Sequence, residues 1–220
     1  MPPSGHTDAV PADAVVPDSL RWDHNIAYHR VVLTAVPRPC ARALDVGCGE
    51  GQLTRALRSR ADHVVGLDRD PAGVAAARGR GGPGLDYVVG DLLDPPFAPG
   101  TFDLVTSVAA LHHVEAWAGL TAMAALVRPG GVLVVVGLAR SRLPGDVLWE
   151  GAGLVMHQLQ RLRTPVWEHS APCVWPPLET YTGMRTLATE LLPGVRWRRH
   201  VLWRWSLVWR RPGSAPAGLD

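Results

Sequence analysis

Short apolar runs, each closed by a turn residue, alternate along this chain with stretches whose apolar positions recur at helical spacing. "RALDVG" (42–47), "HVVGLD" (63–68) and "LDYVVGD" (85–91) read as strands, and "FDLVTSVAAL" (102–111) begins as one. Between them, "EGQLTRALRSR" (50–60) and "PAGVAAAR" (71–78) read as helices. The second is opened by Pro71, whose missing N–H costs nothing in a first turn. "VEAWAGLTAMAALV" (114–127) is a helix stopped by the following Arg-Pro-Gly-Gly. "VLVVVGL" (132–138) has no polar position, as a strand buried on both faces requires. Alternation of this kind predicts βαβ units and a doubly wound parallel α/β sheet.

After residue 139 the rhythm changes. Residues 144–178 carry Trp149, Met156, His157, Trp167, His169, Cys173 and Trp175 among prolines, too many aromatics for a solvated linker. Segment 140–178 is expected to be an inserted lid, with Trp149, His157, Trp167, His169 and Trp175 facing a substrate. A further helix is expected in 177–194, ended by Pro193 and Gly194. Beyond it two sets interleave. Odd positions, mainly apolar, carry Val195, Trp197, Arg199, Val201, Trp203, Trp205, Leu207 and Trp209; even positions, mainly basic, carry Arg196, Arg198, His200, Leu202, Arg204, Ser206, Val208 and Arg210. Period-two alternation predicts two strands with one buried and one wet face. Interleaved Arg and Trp also suit a base-stacking surface, but a net charge of +2 gives no case for nucleic acid.

All 22 basic residues are arginine. The absence of lysine excludes Schiff-base chemistry, pyridoxal phosphate enzymes included. No stretch reaches the roughly 18 apolar residues of a membrane span. Residues 1–19 have neither a basic flank nor an apolar block, so they read as a disordered arm and not a secretory signal. Residues 20–212 read as one domain and 213–220 as a disordered tail. Cys40, Cys48 and Cys173 form an odd set without metal-like spacing, which points to a reducing cytoplasm and to no metal site.

The stretch "ALDVGCGEGQL" (43–53) runs an apolar strand into three glycines, and such a loop lets a ligand approach the backbone. A phosphate loop needs Gly-Lys-Ser/Thr, and there is no lysine. A dinucleotide loop needs G-x-G-x-x-G, but Gln52 stands where the third glycine should fall. Asp45, just before the loop, would repel a pyrophosphate and suit an ammonium or a sulfonium. Asp68, at the end of the second strand, can accept from two ribose hydroxyls side by side. Asp91, ending the third strand, can accept from an exocyclic amine such as that of adenine. The demand is for adenosine without phosphates joined to a cation, which S-adenosylmethionine meets.

In their order and spacing, "LDVGCGEG", "GLDRD", "GDLLD", "FDLVTSVAALHHV" and "LVRPGGVLVVVG" resemble the motifs of class I S-adenosylmethionine-dependent methyltransferases, in particular the small-molecule type 11 and type 12 group. The ending "LLPGVRWRRHVLWRWSLVW" resembles the last helix and antiparallel strand pair of that fold. The resemblance therefore implies a Rossmann-like sheet of seven strands with an antiparallel C-terminal pair. It implies that Gly47, Gly49 and Gly51 pack against the methionine part of the cofactor. It gives Asp68 the ribose with Arg69 beside it, Asp91 and the Leu92 backbone the adenine, and Val108 and Ala109 the sulfur. Cys48 reads as a small residue filling a tight turn. "DPPF" (94–97) resembles a signature of amino-group methyltransferases, but it precedes the fourth strand where theirs follows it, so it reads as a turn.

His112 and His113 follow the fourth strand, near the expected methyl group. An imidazole there can take a proton from a hydroxyl or amine. His113 is the better candidate, because it should sit at the N-terminus of the next helix, where positive potential favours neutral imidazole. "RWDHNIAYHRVVL" (21–33) reads as an N-terminal helix pairing His24 with Tyr28 and Asn25 with His29 at i,i+4. Tyr28 and His29 are expected to line the cofactor pocket and His24 the acceptor. The expected activity is methyl transfer to O, N or C of a small, apolar or aromatic molecule, without nucleic acid or membrane partners. The rivals are an RNA methyltransferase and a protein that binds the cofactor without methylating.

Overall fold

The computed structural model describes residues 18, 23–142, 144–161 and 177–213. Seven strands form one sheet: β1 (Arg42–Val46), β2 (His63–Asp68), β3 (Leu85–Val89), β4 (Phe102–Val108), β5 (Val127–Leu138), β6 (Arg196–Arg199) and β7 (Arg204–Arg210). Their order is β3-β2-β1-β4-β5-β7-β6. The first five run parallel; β7 is antiparallel to both β5 and β6. The order reverses between β1 and β4, the position at which doubly wound sheets open a crevice.

The helices are α1 (His29–Ala35), α2 (Gln52–Leu57), α3 (Pro71–Gly79), α4 (Ala116–Leu126), α5 (Val147–Arg161) and α6 (Tyr181–Leu191). Local chemistry fixes several starts. The Asp70 side chain accepts from the Ala72 and Gly73 amides ahead of Pro71. Glu115 does the same for Trp117 and Ala118, and Thr180 for Gly183. The sheet separates two cores. Leu133 and Val135 of β5 face α4 and α6. Val132, Val134 and Val136 face α1 and α2. Each such side chain gains about 1.5–3 kcal/mol by leaving water, so β5 is apolar at every alternate step on both sides.

Two expectations are corrected. The even face of β7 is wet only toward its end: Arg204 and Ser206 are only 6% and 3% exposed, while Arg210 is exposed. β7 lies inside the sheet, and the N-terminal segment covers its second face. Tyr28 Oη donates to the Val201 carbonyl at 2.6 Å, and its ring packs 5.0 Å from His200. On the edge strand β6 the alternation holds: Arg196 and Arg198 are exposed, and Trp197 packs on the core. The N-terminal helix is also broken. A 3₁₀ turn (Ile26–Tyr28) precedes α1, and Tyr28 at the junction has φ −103° and ψ 1°. The i,i+4 pairing of His24 with Tyr28 is therefore lost.

α5 is turned polar side in. Glu150 accepts from Trp203 Nε1 at 2.8 Å, and His157 Nδ1 lies 3.0 Å from His24 Nε2. Its outer face exposes Leu148 and Val155.

Candidate active site

A cleft of about 290 Å³ opens at the carboxyl ends of β1, β2, β3 and β4. Its floor is the glycine loop between β1 and α2. Gly47, Gly49 and Gly51 all have positive φ. A Cβ on Gly47 would strike Ala110 Cβ at 2.2 Å, and one on Gly51 the Tyr87 ring at 2.7 Å. A Cβ on Gly49 would meet no atom within 4 Å, so this part of the loop is open. The Gly47 and Cys48 amides both donate to the Leu67 carbonyl, at 2.8 and 3.2 Å, and tie the loop to β2.

The acids stand as the strand ends place them. Asp45 is 2% exposed and accepts from Thr54 Oγ1 at 2.7 Å. Burial, reinforced by the charge of Asp68, pushes its carboxyl up to about 7, against the Thr54 hydrogen bond. A cation placed beside it favours the ionised form. Asp68 spans the rim: Oδ2 accepts from the Gly49 amide at 2.8 Å and Oδ1 from the Asp70 amide at 2.9 Å. The carboxylate thus braces the loop, and Arg69 joins it in the wall. Asp91 is exposed at the mouth and accepts from the Leu93 amide at 2.9 Å. Leu92 closes the wall from the core.

On the far side β4 ends in Val108 and Ala109, the latter with φ 55°, and both line the cleft with His113. The pair His112–His113 lies in a 3₁₀ turn (Leu111–His113) with ring centroids 4.1 Å apart. Only His113 reaches the cleft; His112 Nδ1 is buried. Burial, then the charge of Arg69, lowers the His113 pKa against the pull of Asp68. The neutral state expected of His113 does not come from the N-terminus of the following helix. That helix starts only at Ala116, and desolvation with Arg69 supplies the effect. His112 is lowered to about 4, by burial first and then by His113 and Arg204.

Most predicted cofactor residues line this cleft: His29, Asp45, Gly47, Cys48, Gly49, Asp68, Arg69, Asp91, Leu92, Val108 and Ala109. His29 is pushed down to about 4 by burial, against Asp23 and Asp18. The Cys48 thiol is pushed far up by burial and by Asp45 and Asp68, which suits a filler and not a nucleophile. Five of the expected site residues do not line the cleft. Gly51 backs onto Tyr87, Tyr28 turns to the β6–β7 hairpin, and His24 and His157 bond each other away from the cleft. Trp149 is 41% exposed, with the Arg199 guanidinium 5.0 Å from its ring centroid. Trp167, His169 and Trp175 lie outside the described residues. The sequence reading missed Asp23, Asn25 and Ile26, which line the cleft ahead of α1. The Asn25–His29 spacing hinted at this, but only the turn at 26–28 aims Asn25 inward.

A second hollow, of about 600 Å³, lies where α1 ends beside β5 and β7. Its lining includes Arg38, Arg60, Arg196 and Arg210 and none of the acids or histidines above. It is larger, but the acids and His29 and His113 line the first cleft. Among the described residues no cluster of His, Cys, Asp and Glu could hold a metal ion.

This sheet order and this cleft define a class of protein. The family described as "Methyltransferase domain" matches residues 44–135. The chain is 34% identical over 193 residues to an uncharacterized methyltransferase of Mycobacterium bovis, covering 87% of this chain and 98% of that one. It belongs to the class I S-adenosylmethionine-dependent methyltransferases and is an enzyme of that kind. It is also 40% identical over 120 residues to a demethylmenaquinone methyltransferase of Beutenbergia cavernae, covering 54% of this chain and 50% of that relative. The crystal structure of PH0226 from Pyrococcus horikoshii shares the fold, with TM-score 0.61 and 17% identity over 84% of this chain and 87% of that one.

Proposed function

We propose that this enzyme methylates O, N or C of a small apolar or aromatic molecule, with S-adenosylmethionine as donor, in the cytoplasm. One juxtaposition carries the reading: an acid-lined glycine cradle faces a neutral histidine across Val108, Ala109 and Val114. The cradle fits the cofactor, since its open side is Gly49 and its buried acid Asp45 suits a cation. When bound, the cofactor supplies an activated methyl group on a sulfonium. Asp45 would hold its ammonium, Asp68 the ribose hydroxyls and Asp91 the adenine amine. The apolar wall excludes water, and a neutral His113 takes the proton of an acceptor that arrives protonated. The protein's contribution to an in-line displacement is mainly alignment.

The apolar wall and the relative named for demethylmenaquinone support an apolar acceptor. Burial of Arg204 and Ser206 counts against a nucleic-acid face on β7. The test incubates the enzyme with methyl-labelled cofactor and an organic-solvent extract of cells. Label should appear in extract molecules. Cofactor binding without label transfer points to a non-methylating protein, and steeply salt-dependent RNA affinity points to the RNA rival.

A further inference from the structure

Asn25 lies in the cleft wall, and behind it stands Arg204, the buried first residue of β7. Arg204 Nη2 donates to Asn25 Oδ1 at 2.7 Å. A guanidinium has only donors, so the amide must turn its oxygen to Arg204 and its two N–H groups away. Both ends of the contact are fixed. Arg204 Nη1 donates to the Leu202 carbonyl at 3.3 Å, and Asp23 Oδ1 accepts from the Asn25 backbone N–H at 2.7 Å. Among the described residues Asn25 Nδ2 has no protein acceptor, and it is not among the buried polar atoms left without a partner. It is therefore open to solvent, on a residue that lines the cleft. The surrounding side chains are largely acceptors: Asp23, Asp45, Glu50, Asp68 and Asp91 all line the same space. They suit the cationic part of a ligand and repel an anionic part. Asn25 supplies fixed donors there, with a buried positive charge directly behind.

We propose that Asn25, held in one orientation by Arg204, recognises an anionic oxygen of the bound ligand: the carboxylate at the cofactor's amino-acid end or an ionised oxygen of the acceptor. The inference rests on the methyltransferase reading above and assigns a specificity-determining role to a residue of the N-terminal segment. Arg204 acts through Asn25 and is a positioning residue.

The test uses the full chain and two nucleosides. S-adenosylhomocysteine carries the carboxylate; 5′-methylthioadenosine lacks it. Asn25→Asp keeps the contact to Arg204 but replaces both N–H donors by an oxygen. Asn25→Ala removes the donors without adding charge. Calorimetry should show S-adenosylhomocysteine weakened about tenfold or more by Asn25→Asp and severalfold by Asn25→Ala, with 5′-methylthioadenosine unchanged within about twofold. That result assigns the oxygen to the cofactor. Unchanged affinity for both nucleosides with at least tenfold less label transfer to the cell extract assigns it to the acceptor. The proposal is overturned if both affinities and label transfer are unchanged. It is also overturned if both nucleosides weaken equally, which is what a packing role produces. A wild type that binds neither nucleoside overturns the methyltransferase reading and this inference with it.

Discussion

Replacing Asp45 by Asn isolates the charge that the cleft keeps under its glycine loop. Asp45 is 2% exposed, bonded to Thr54, and its pKa is pushed up to about 7, chiefly by burial. With that value about three-quarters of the carboxyl is ionised at pH 7.5 and about one-tenth at pH 6. If the ligand's ammonium binds only the ionised form, affinity for S-adenosylhomocysteine should fall about eightfold between those pH values, roughly 1.2 kcal/mol. The ammonium itself stays mainly protonated throughout that range. Asn retains a hydrogen bond to Thr54 but not the charge. The variant should bind about ten- to a hundredfold more weakly at pH 7.5, the scale of a charged hydrogen bond, and its acid limb should vanish. Stability runs the opposite way. The folded pKa lies above the unfolded one, so the folded state holds a proton that the unfolded state releases. This contribution is fully present below about pH 4 and is lost as pH rises through 7. The Asn variant should therefore melt no lower than wild type at pH 8, which separates lost binding from lost folding. Calorimetry at four pH values checks this. A flat wild-type profile from pH 6 to 7.5, or an Asn variant binding as tightly as wild type, refutes the assignment.

Asp68→Ala should weaken S-adenosylhomocysteine by tenfold or more, because the ribose loses a charged acceptor and the Gly49 amide its brace; equal affinity in calorimetry removes the ribose assignment. His113→Ala should lower label transfer by about 10²-fold while leaving nucleoside affinity nearly intact, and His112→Ala should do less; full transfer by a folded His113→Ala protein ends the base role. Gly47→Ala combines φ +74° with a Cβ 2.2 Å from Ala110 Cβ. It should cost about 1–3 kcal/mol, a melting point lower by several degrees, and an unshifted melt would show that the loop relaxes freely.

Local pattern was enough for the α/β architecture, because the strands and helices between residues 42 and 138 carry their own periodicity and caps. The β2 expectation at 63–68 coincides with the observed strand, and Asp45, Asp68 and Asp91 reach the cleft because they stand at or beside the carboxyl ends of parallel strands. The neutral state of His113 was also expected, although its cause was not, since burial and Arg69 act across elements that no local pattern couples. Tertiary structure decided the rest. The alternation in β7 could not say that Arg204 is buried, because the cover comes from residues near position 25, far away in sequence. Nor could helical spacing foresee the turn at 26–28, which sends Tyr28 to the hairpin and Asn25 to the cleft. Periodicity records which side of an element is apolar. Which partner covers that side, and which polar group is pinned in passing, depends on long-range packing.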